Sequence, residues 1–119
     1  MKKKIILITL IGAILSVLIY FYTKSDELTL VTIGDGIAEG MTPHDIEGMS
    51  FNDYLKEDLK SKHKLKNYFE FAKSGTTIKE LIFDIKENKS LTFGNEKIEI
   101  QHAINEADIL TIAIGMDEI

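Results

Sequence analysis

The sequence predicts a mixed α/β fold with a parallel sheet, preceded by one transmembrane helix. Two apolar runs rich in β-branched residues, 28–33 and 109–114, have the length of buried strands. Segments with apolar residues at helical spacing lie between them. A third observation, the uncharged run 5–22, indicates the membrane segment. Apolar strands that alternate with amphipathic helices are typical of a parallel sheet covered on both faces.

Residues 1–24 are predicted to be a signal anchor. The uncharged run 5–22 would form a helix about 27 Å long, close to the thickness of the bilayer's hydrocarbon core. Lysines at positions 2–4 favour a cytoplasmic N-terminus, and the aromatic residues at 20–22 suit the far interface. A cleaved signal peptide is the alternative, but its apolar run is usually shorter, and no Ala-x-Ala site follows here. We therefore expect a single-pass cell-membrane protein with residues 25–119 outside the cytoplasm.

The charge of the exported part excludes some partners. Without the first three lysines the chain keeps eleven of its 14 lysines and all 19 acidic residues, a formal charge of −8. Such a surface repels nucleic acid and anionic lipid, so the N-terminal helix is the only predicted membrane contact. The absence of cysteine fits an exported chain that does not depend on disulfides.

The first strand, 28–33, is followed by a glycine-rich loop over 34–49 and then by a helix. Ser50 is expected to cap this helix, with Asp53 in the capping-box position. Helical spacing predicts an apolar inner face. The residues of this face are Phe51, Tyr54, Leu55 and Leu59. A second strand is predicted over 68–72.

The second half of the chain repeats this alternation. Thr77 and Glu80 form another capping box, at the start of a helix whose inner stripe is apolar. That stripe consists of Ile78, Leu81, Ile82 and Ile85. Residues 90–100 are predicted to form a hairpin with a turn at Gly94 and Asn95. A short helix over 102–106 and a third strand over 109–114 complete the prediction.

Three predicted strand ends carry short motifs: VTIGDGIAEG, FAKSGTT and ILTIAIGMDEI. In this order and spacing they resemble the first three sequence blocks of the SGNH (GDSL-type) hydrolases, over residues 28–119. The resemblance implies a three-layer α/β/α sandwich with the first strand between the second and the third. The family has about five strands, so the sheet is expected to be incomplete at the C-terminus. The third strand is then expected to have an unpaired edge.

The resemblance also implies the chemistry of an esterase or lipase. In the family a Ser attacks an acyl carbonyl, and the block-two Gly amide and block-three Asn side chain hold the oxyanion. The nucleophile position is Gly36 in this sequence, the oxyanion Gly is Gly75, and the Asn position is Asp117. The family's Asp-x-x-His block is absent. Glycine has no nucleophile and an ionised aspartate donates no hydrogen bond, so we expect no ester hydrolysis by the family mechanism.

Two origins remain open for such a sequence: a piece of a longer hydrolase, or a decayed paralogue that has become a pseudoenzyme. The alternative class of function is a membrane-anchored binding module that keeps the pocket without the chemistry. Its ligand would be an acyl ester or an acylated glycan.

Other patterns at the strand ends suggest a nucleotide or a metal. Gly34, Gly36 and Gly40 resemble a dinucleotide motif, but that motif needs a helix that starts at once. Asp35 with the acidic residues 117 and 118 would suit a divalent cation. A better explanation of Asp35 is that its carboxylate accepts hydrogen bonds from neighbouring backbone amides. The three histidines are expected at the surface; they are His44, His63 and His102. No cofactor or metal is therefore predicted.

Overall fold

The computed structural model describes residues 1–23, 26–42, 44 and 46–115. These residues form a mixed α/β structure with a parallel three-stranded sheet, as predicted. In chain order the elements are α1 (Lys2–Thr23), β1 (Leu28–Gly34), α2 (Gly36–Glu39), α3 (Phe51–Ser61), β2 (Leu65–Ala72), α4 (Ile78–Lys86), β3 (Ser90–Phe93), β4 (Glu96–Glu99), α5 (Ile100–Glu106) and β5 (Ile109–Ala113).

The strand order is β2-β1-β5, with β1 in the centre and both pairings parallel. Val31, for example, lies beside Phe69 of β2 and beside Leu110 of β5. Backbone pairing on both sides explains why β1 is almost wholly buried and has no charged residue. The predicted central position of the first strand is therefore confirmed.

The main apolar core lies on the face of the sheet that carries Val31 and Ile33. Leu81 of α4 and Ile100 and Ala103 of α5 pack there, with Phe71 of β2. The β3–β4 hairpin closes this side, since the ring of Phe93 meets those of Phe69 and Phe71 edge-on at 5.2 and 5.4 Å. These aromatic contacts join the small antiparallel hairpin to the parallel sheet.

The opposite face of the sheet contacts α2 and α3 and is more polar. Asn52 is fully buried, with its amide nitrogen donating to the Ala38 carbonyl at 3.2 Å and its amide oxygen accepting from the Thr111 hydroxyl at 2.7 Å. The Thr111 hydroxyl is also 3.1 Å from the Thr32 hydroxyl. The prediction that Phe51 and Tyr54 lie on the inner face of α3 is therefore wrong. Their side chains are 48% and 63% exposed, because Asn52 is the residue of this helical turn that points into the protein.

Both predicted helix caps are confirmed. The Ser50 hydroxyl accepts from the Asp53 backbone N–H at 3.1 Å, and the Asp53 carboxylate accepts from the Ser50 backbone N–H at 2.9 Å. Thr77 and Glu80 form the same reciprocal pair at the start of α4. The predicted hairpin turn at Gly94 and Asn95 is also present, with β3 and β4 antiparallel.

One helix was not predicted, and β2 and α5 begin earlier than predicted. The stretch 34–49, predicted as a loop, contains the one-turn helix α2. β2 begins at Leu65 rather than at residue 68, because Leu65 pairs with Leu28 although charged residues surround it. α5 begins at Ile100 rather than at residue 102, because Ile100 is buried in the core and starts the helix directly after β4.

The helix α1 has the length and composition of a membrane span. Residues Lys2–Tyr22 have a mean hydropathy of 2.6, and none of this stretch is buried against the rest of the protein. The helix therefore contributes nothing to the core, and its apolar surface is available to lipid.

Candidate functional site

The candidate site begins at the turn between β1 and α2. β1 ends at Gly34, Asp35 caps the next helix, and α2 starts at Gly36. One carboxylate oxygen of Asp35 accepts from the Ile37 backbone N–H at 3.1 Å. A helix does therefore start at once, contrary to our expectation, but it has only four residues. The Asp35 carboxylate fills its N-terminus, which is where the phosphates of a dinucleotide would bind.

Asp35 also joins the ends of two strands. Its second carboxylate oxygen accepts from the Gly115 backbone N–H at 2.9 Å, and its own backbone N–H donates to the Ala113 carbonyl at 3.0 Å. The side chain is completely buried. Asp35 therefore binds backbone amides, as the structural interpretation of this residue predicted.

The end of β2 reaches the same place. A Cβ atom added to Gly36 would lie 3.0 Å from the Ser74 hydroxyl oxygen and 3.3 Å from Cβ of Met41. The Ser74 backbone N–H donates to the Glu39 carboxylate of α2. Gly75 follows with φ of +80°, which suits a glycine. Gly36 and Ser74 are thus brought together, with Gly75 next along the chain, and Asp35 joins this turn to Gly115.

The remaining predicted site positions, Asp117 and Glu118, lie outside the described residues, so the third block is represented by Gly115 alone. The described part of the chain contains no cluster of three or more His, Cys, Asp or Glu side chains suited to a metal ion. His44, His63 and His102 are all exposed, as predicted.

An open cleft of about 210 Å³ borders Gly75 on the side of α4. It is lined by Lys73, Ser74, Gly75, Thr76, Glu80, Asp84 and Lys89. The Lys89 ammonium group pairs with the Asp84 carboxylate at 2.7 Å. Hydrogen bonds from the backbone N–H and hydroxyl of Thr77 lower the pKa of Glu80. The cleft is therefore polar, with charges of both signs, and it suits a small hydroxylated or charged group better than a long acyl chain.

A polar cluster between β2 and α3 was not predicted. Burial and, to a lesser extent, the neighbouring Glu70 carboxylate raise the pKa of Tyr68 to about 12. Burial also raises the pKa of Glu70; Asp53 adds to this and the Lys56 ammonium opposes it. Lys56 lies 4.9 Å above the Tyr68 ring and 2.9 Å from the Asp53 carboxylate. The alternation of Tyr68 and Glu70 with Phe69 and Phe71 was the available signal, since it indicates a strand with one polar face.

The fold and this geometry define an α/β protein whose three parallel strands end around one glycine-rich turn. Searches among protein-family models, curated proteins and solved structures find no match to this chain.

Proposed function

We propose that residues 25–119 form an SGNH-hydrolase-like domain that keeps the nucleophile turn without the nucleophile. In this proposal the domain binds an acyl ester or an acylated glycan and does not hydrolyse it. The observation that carries the proposal is the convergence at Gly36, where the ends of β1 and β2 meet and Asp35 links them to the end of β5. The helices on the two faces of the sheet would be the outer layers of the α/β/α sandwich that the resemblance implies.

Loss of activity follows from the residue types at this turn. Gly36 has no side chain, and loss of a serine nucleophile reduces turnover by about a millionfold in hydrolases of comparable mechanism. Asp117, at the position of the oxyanion asparagine, accepts hydrogen bonds and donates none when ionised. The nearest hydroxyl to the vacant side-chain position, that of Ser74, lies on an exposed residue, and all three histidines lie on the protein surface without forming part of this turn.

The location is part of the proposal. α1 would remain uncleaved and span the cell membrane, which places residues 25–119 on its outer side. Residues 23–119 have a formal charge of −8, so the anchored domain would stand off from anionic lipid headgroups and present its glycine-rich turn to ligands on that side of the membrane.

The chemistry is tested on the full chain in detergent micelles. We expect the parent protein to remain unlabelled by serine-directed fluorophosphonates and to hydrolyse short acyl esters no faster than buffer. Gly36→Ser alone should remain inactive, while Gly36→Ser with Asp117→Asn should gain weak labelling. That labelling should persist when Ser74→Ala is added. Labelling of the parent that is lost in Ser74→Ala would show that Ser74 is the nucleophile and would refute the proposal.

Binding needs a separate measurement. Addition of ethyl butyrate should shift the amide NMR signals of Gly36 and Gly75, whereas butanol, which lacks the ester carbonyl, should not. If ester and alcohol gave equal shifts, or if the ester shifted only signals of α1, the binding function would be wrong even in the absence of hydrolysis.

A further inference from the structure

The outer edge of β5 is unpaired among the residues that the structure describes. The Ala113 carbonyl points to β1, where it accepts from Asp35. Backbone polar groups of successive strand residues point to alternate sides, so those of Leu110 and Ile112 point away from β1. Four strong hydrogen-bonding groups are therefore directed outward along this edge.

The two edges of the sheet differ in the features that prevent an edge strand from pairing with another chain. β2, at the opposite edge, has the exposed Lys66 and the half-buried Glu70, and charged residues on an edge strand discourage pairing with another chain. β5 has no charged residue from Ile109 to Ala113. It also has no proline, and none of its residues forms a bulge in the pairing with β1. The β5 edge thus lacks the usual features that prevent association.

The apolar side chains beside this edge are also uncovered. Leu110 and Ile112 lie on the same face as Val31 and Ile33, their partners in β1. Val31 and Ile33 are buried under α4 and α5, whereas Leu110 and Ile112 are 40% and 62% exposed. The helices of this face therefore cover β1 and leave β5 open.

We propose that β5 pairs antiparallel with β5 of a second copy of this chain, with Thr111 on the two-fold axis. The two sheets would then join into one sheet of six strands. Leu110 of each copy would lie opposite Ile112 of the other, and these two pairs would form the four outward hydrogen bonds. Thr111 would lie opposite its own counterpart, in a pair without backbone hydrogen bonds.

The side chains of β5 suit a second copy of the same strand, because Leu110 and Ile112 would each meet an apolar side chain when Thr111 lies on the two-fold axis. Two acidic domains repel each other over most of their surfaces, and an uncharged contact strand reduces that repulsion. In the proposed register the nearest acid, Asp108, lies opposite Ile114 of the other copy. The Asp108 carboxylate already accepts from the Thr29 backbone N–H at 2.8 Å. No charged side chain of the strand therefore faces another.

The size of the contact limits its strength. A pair of five-residue strands buries less than the roughly 1,200 Å² of a standard stable interface. We therefore expect the dissociation constant of the dimer in micelles to be micromolar rather than nanomolar.

The chain contains no cysteine, so single-cysteine variants report the register directly. Leu110→Cys and Ile112→Cys, carried on differently tagged full-length chains in detergent, should form a mixed disulfide several-fold faster than either variant alone. The reason is that opposed hydrogen-bonded residues have Cα atoms about 5.5 Å apart, which suits a disulfide. Lys66→Cys, on the other edge of the sheet, is the control and should cross-link slowly. Equal rates for all combinations would overturn the proposed pairing.

A second variant pair tests the dimer without oxidation. Ile112→Lys should make the full chain monomeric in sedimentation experiments in detergent. Phe83→Lys should leave the dimer intact, although Phe83 is as exposed as Ile112, at 63% against 62%. A parent chain that stays monomeric at a concentration about a hundredfold above the expected dissociation constant would refute the proposal. A dimer that survives Ile112→Lys would also refute it, since association would then involve α1 or another surface.

Discussion

At the residue scale, Gly34 is required by its surroundings. A Cβ atom at this position would lie 1.9 Å from the Ala113 carbonyl oxygen and 2.7 Å from Cβ of Ala38. β5 and α2 therefore approach the end of β1 so closely that only glycine fits. Gly75 differs, because its φ of +80° favours glycine while the space for a Cβ atom is open.

Alanine substitutions should separate these two reasons. Gly34→Ala forces the ends of β1 and β5 apart, and we expect it to lower the free energy of unfolding by about 3 kcal/mol or more. In Gly75→Ala the alanine has room for its Cβ atom but must adopt a left-handed backbone conformation, which costs about 1–2 kcal/mol. Urea denaturation of the full chain in detergent, followed by tyrosine fluorescence, measures both. Equal losses would show that β5 does not pack against Gly34 as described.

Residues that act locally could be predicted, and those that act across the fold could not. Asp35 was expected to bind neighbouring amides, because an acid between two glycines at a strand end has backbone N–H groups close by. Its bond to Gly115 spans 80 residues, and nothing near Asp35 indicates it. Asn52 is similar, since its partner Thr111 is 59 residues away and Asn52 has the appearance of a solvent-facing residue of an amphipathic helix.

At the element scale, α3 and β2 form a polar interface that depends on pH. Glu70 of β2 faces Asp53 and Lys56 of α3 and is also influenced by Glu39 of α2 and Tyr68 of its own strand. Burial and Asp53 raise the pKa of Glu70 above its ordinary value of 4.5. The folded state therefore holds this proton more tightly than the unfolded state does, so ionisation of Glu70 destabilises the fold.

Glu70→Gln should consequently stabilise the protein at pH 7. Below pH 4.5 the carboxyl group is protonated in both states and contributes little difference. As the pH rises above 4.5, the parent loses stability until the folded pKa has been passed, whereas the variant does not. The advantage of Glu70→Gln in urea denaturation should therefore be present at pH 7 and nearly absent at pH 4. Glu57→Gln, at an exposed position of α3, is the control and should show no such trend. An advantage of equal size at both pH values would mean that packing, not charge, explains it.

Elements with local signals were predicted better than elements defined by their partners. Ser50 and Thr77 cap helices because their hydroxyls reach an N–H three residues ahead, which is visible in the sequence. α2 was missed because a four-residue helix has no apolar period to detect. The start of β2 was missed because Leu65 belongs to the sheet only through its pairing with Leu28.

At the scale of the whole molecule, one apolar helix is joined to an acidic α/β domain. The helix α1 has mean hydropathy 2.6 and is not buried against the rest of the described chain, as expected of a helix that crosses a membrane. The parallel sheet and the apolar N-terminal helix were predicted from the order and spacing of apolar residues along the chain. The polar face, in contrast, required a three-dimensional arrangement of Thr32, Asn52 and Thr111 that no periodicity indicates.

The proposal that α1 is an uncleaved membrane anchor is tested by cell fractionation. The expressed chain should remain in the membrane pellet through an alkaline carbonate wash and keep its N-terminal Met1 in mass spectrometry. Leu10→Arg combined with Ile14→Arg should release it, because two charges at the centre of a span cost about 5–7 kcal/mol. Phe21→Arg should be tolerated, since an arginine near the interface reaches water. A soluble product that begins between residues 23 and 26 would show instead that α1 is a cleaved signal peptide.

The hydrogen bond between Asp35 and Gly115 cannot form until both residues have been synthesised. Eighty residues separate its two ends, and ribosomes add about 5–20 residues per second, so Gly115 follows Asp35 by roughly 4–16 s. During that interval the nascent chain can pair β1 with β2 but cannot close the turn at Gly36. The buried carboxylate of Asp35 therefore lacks one of its amide donors until Gly115 has been added.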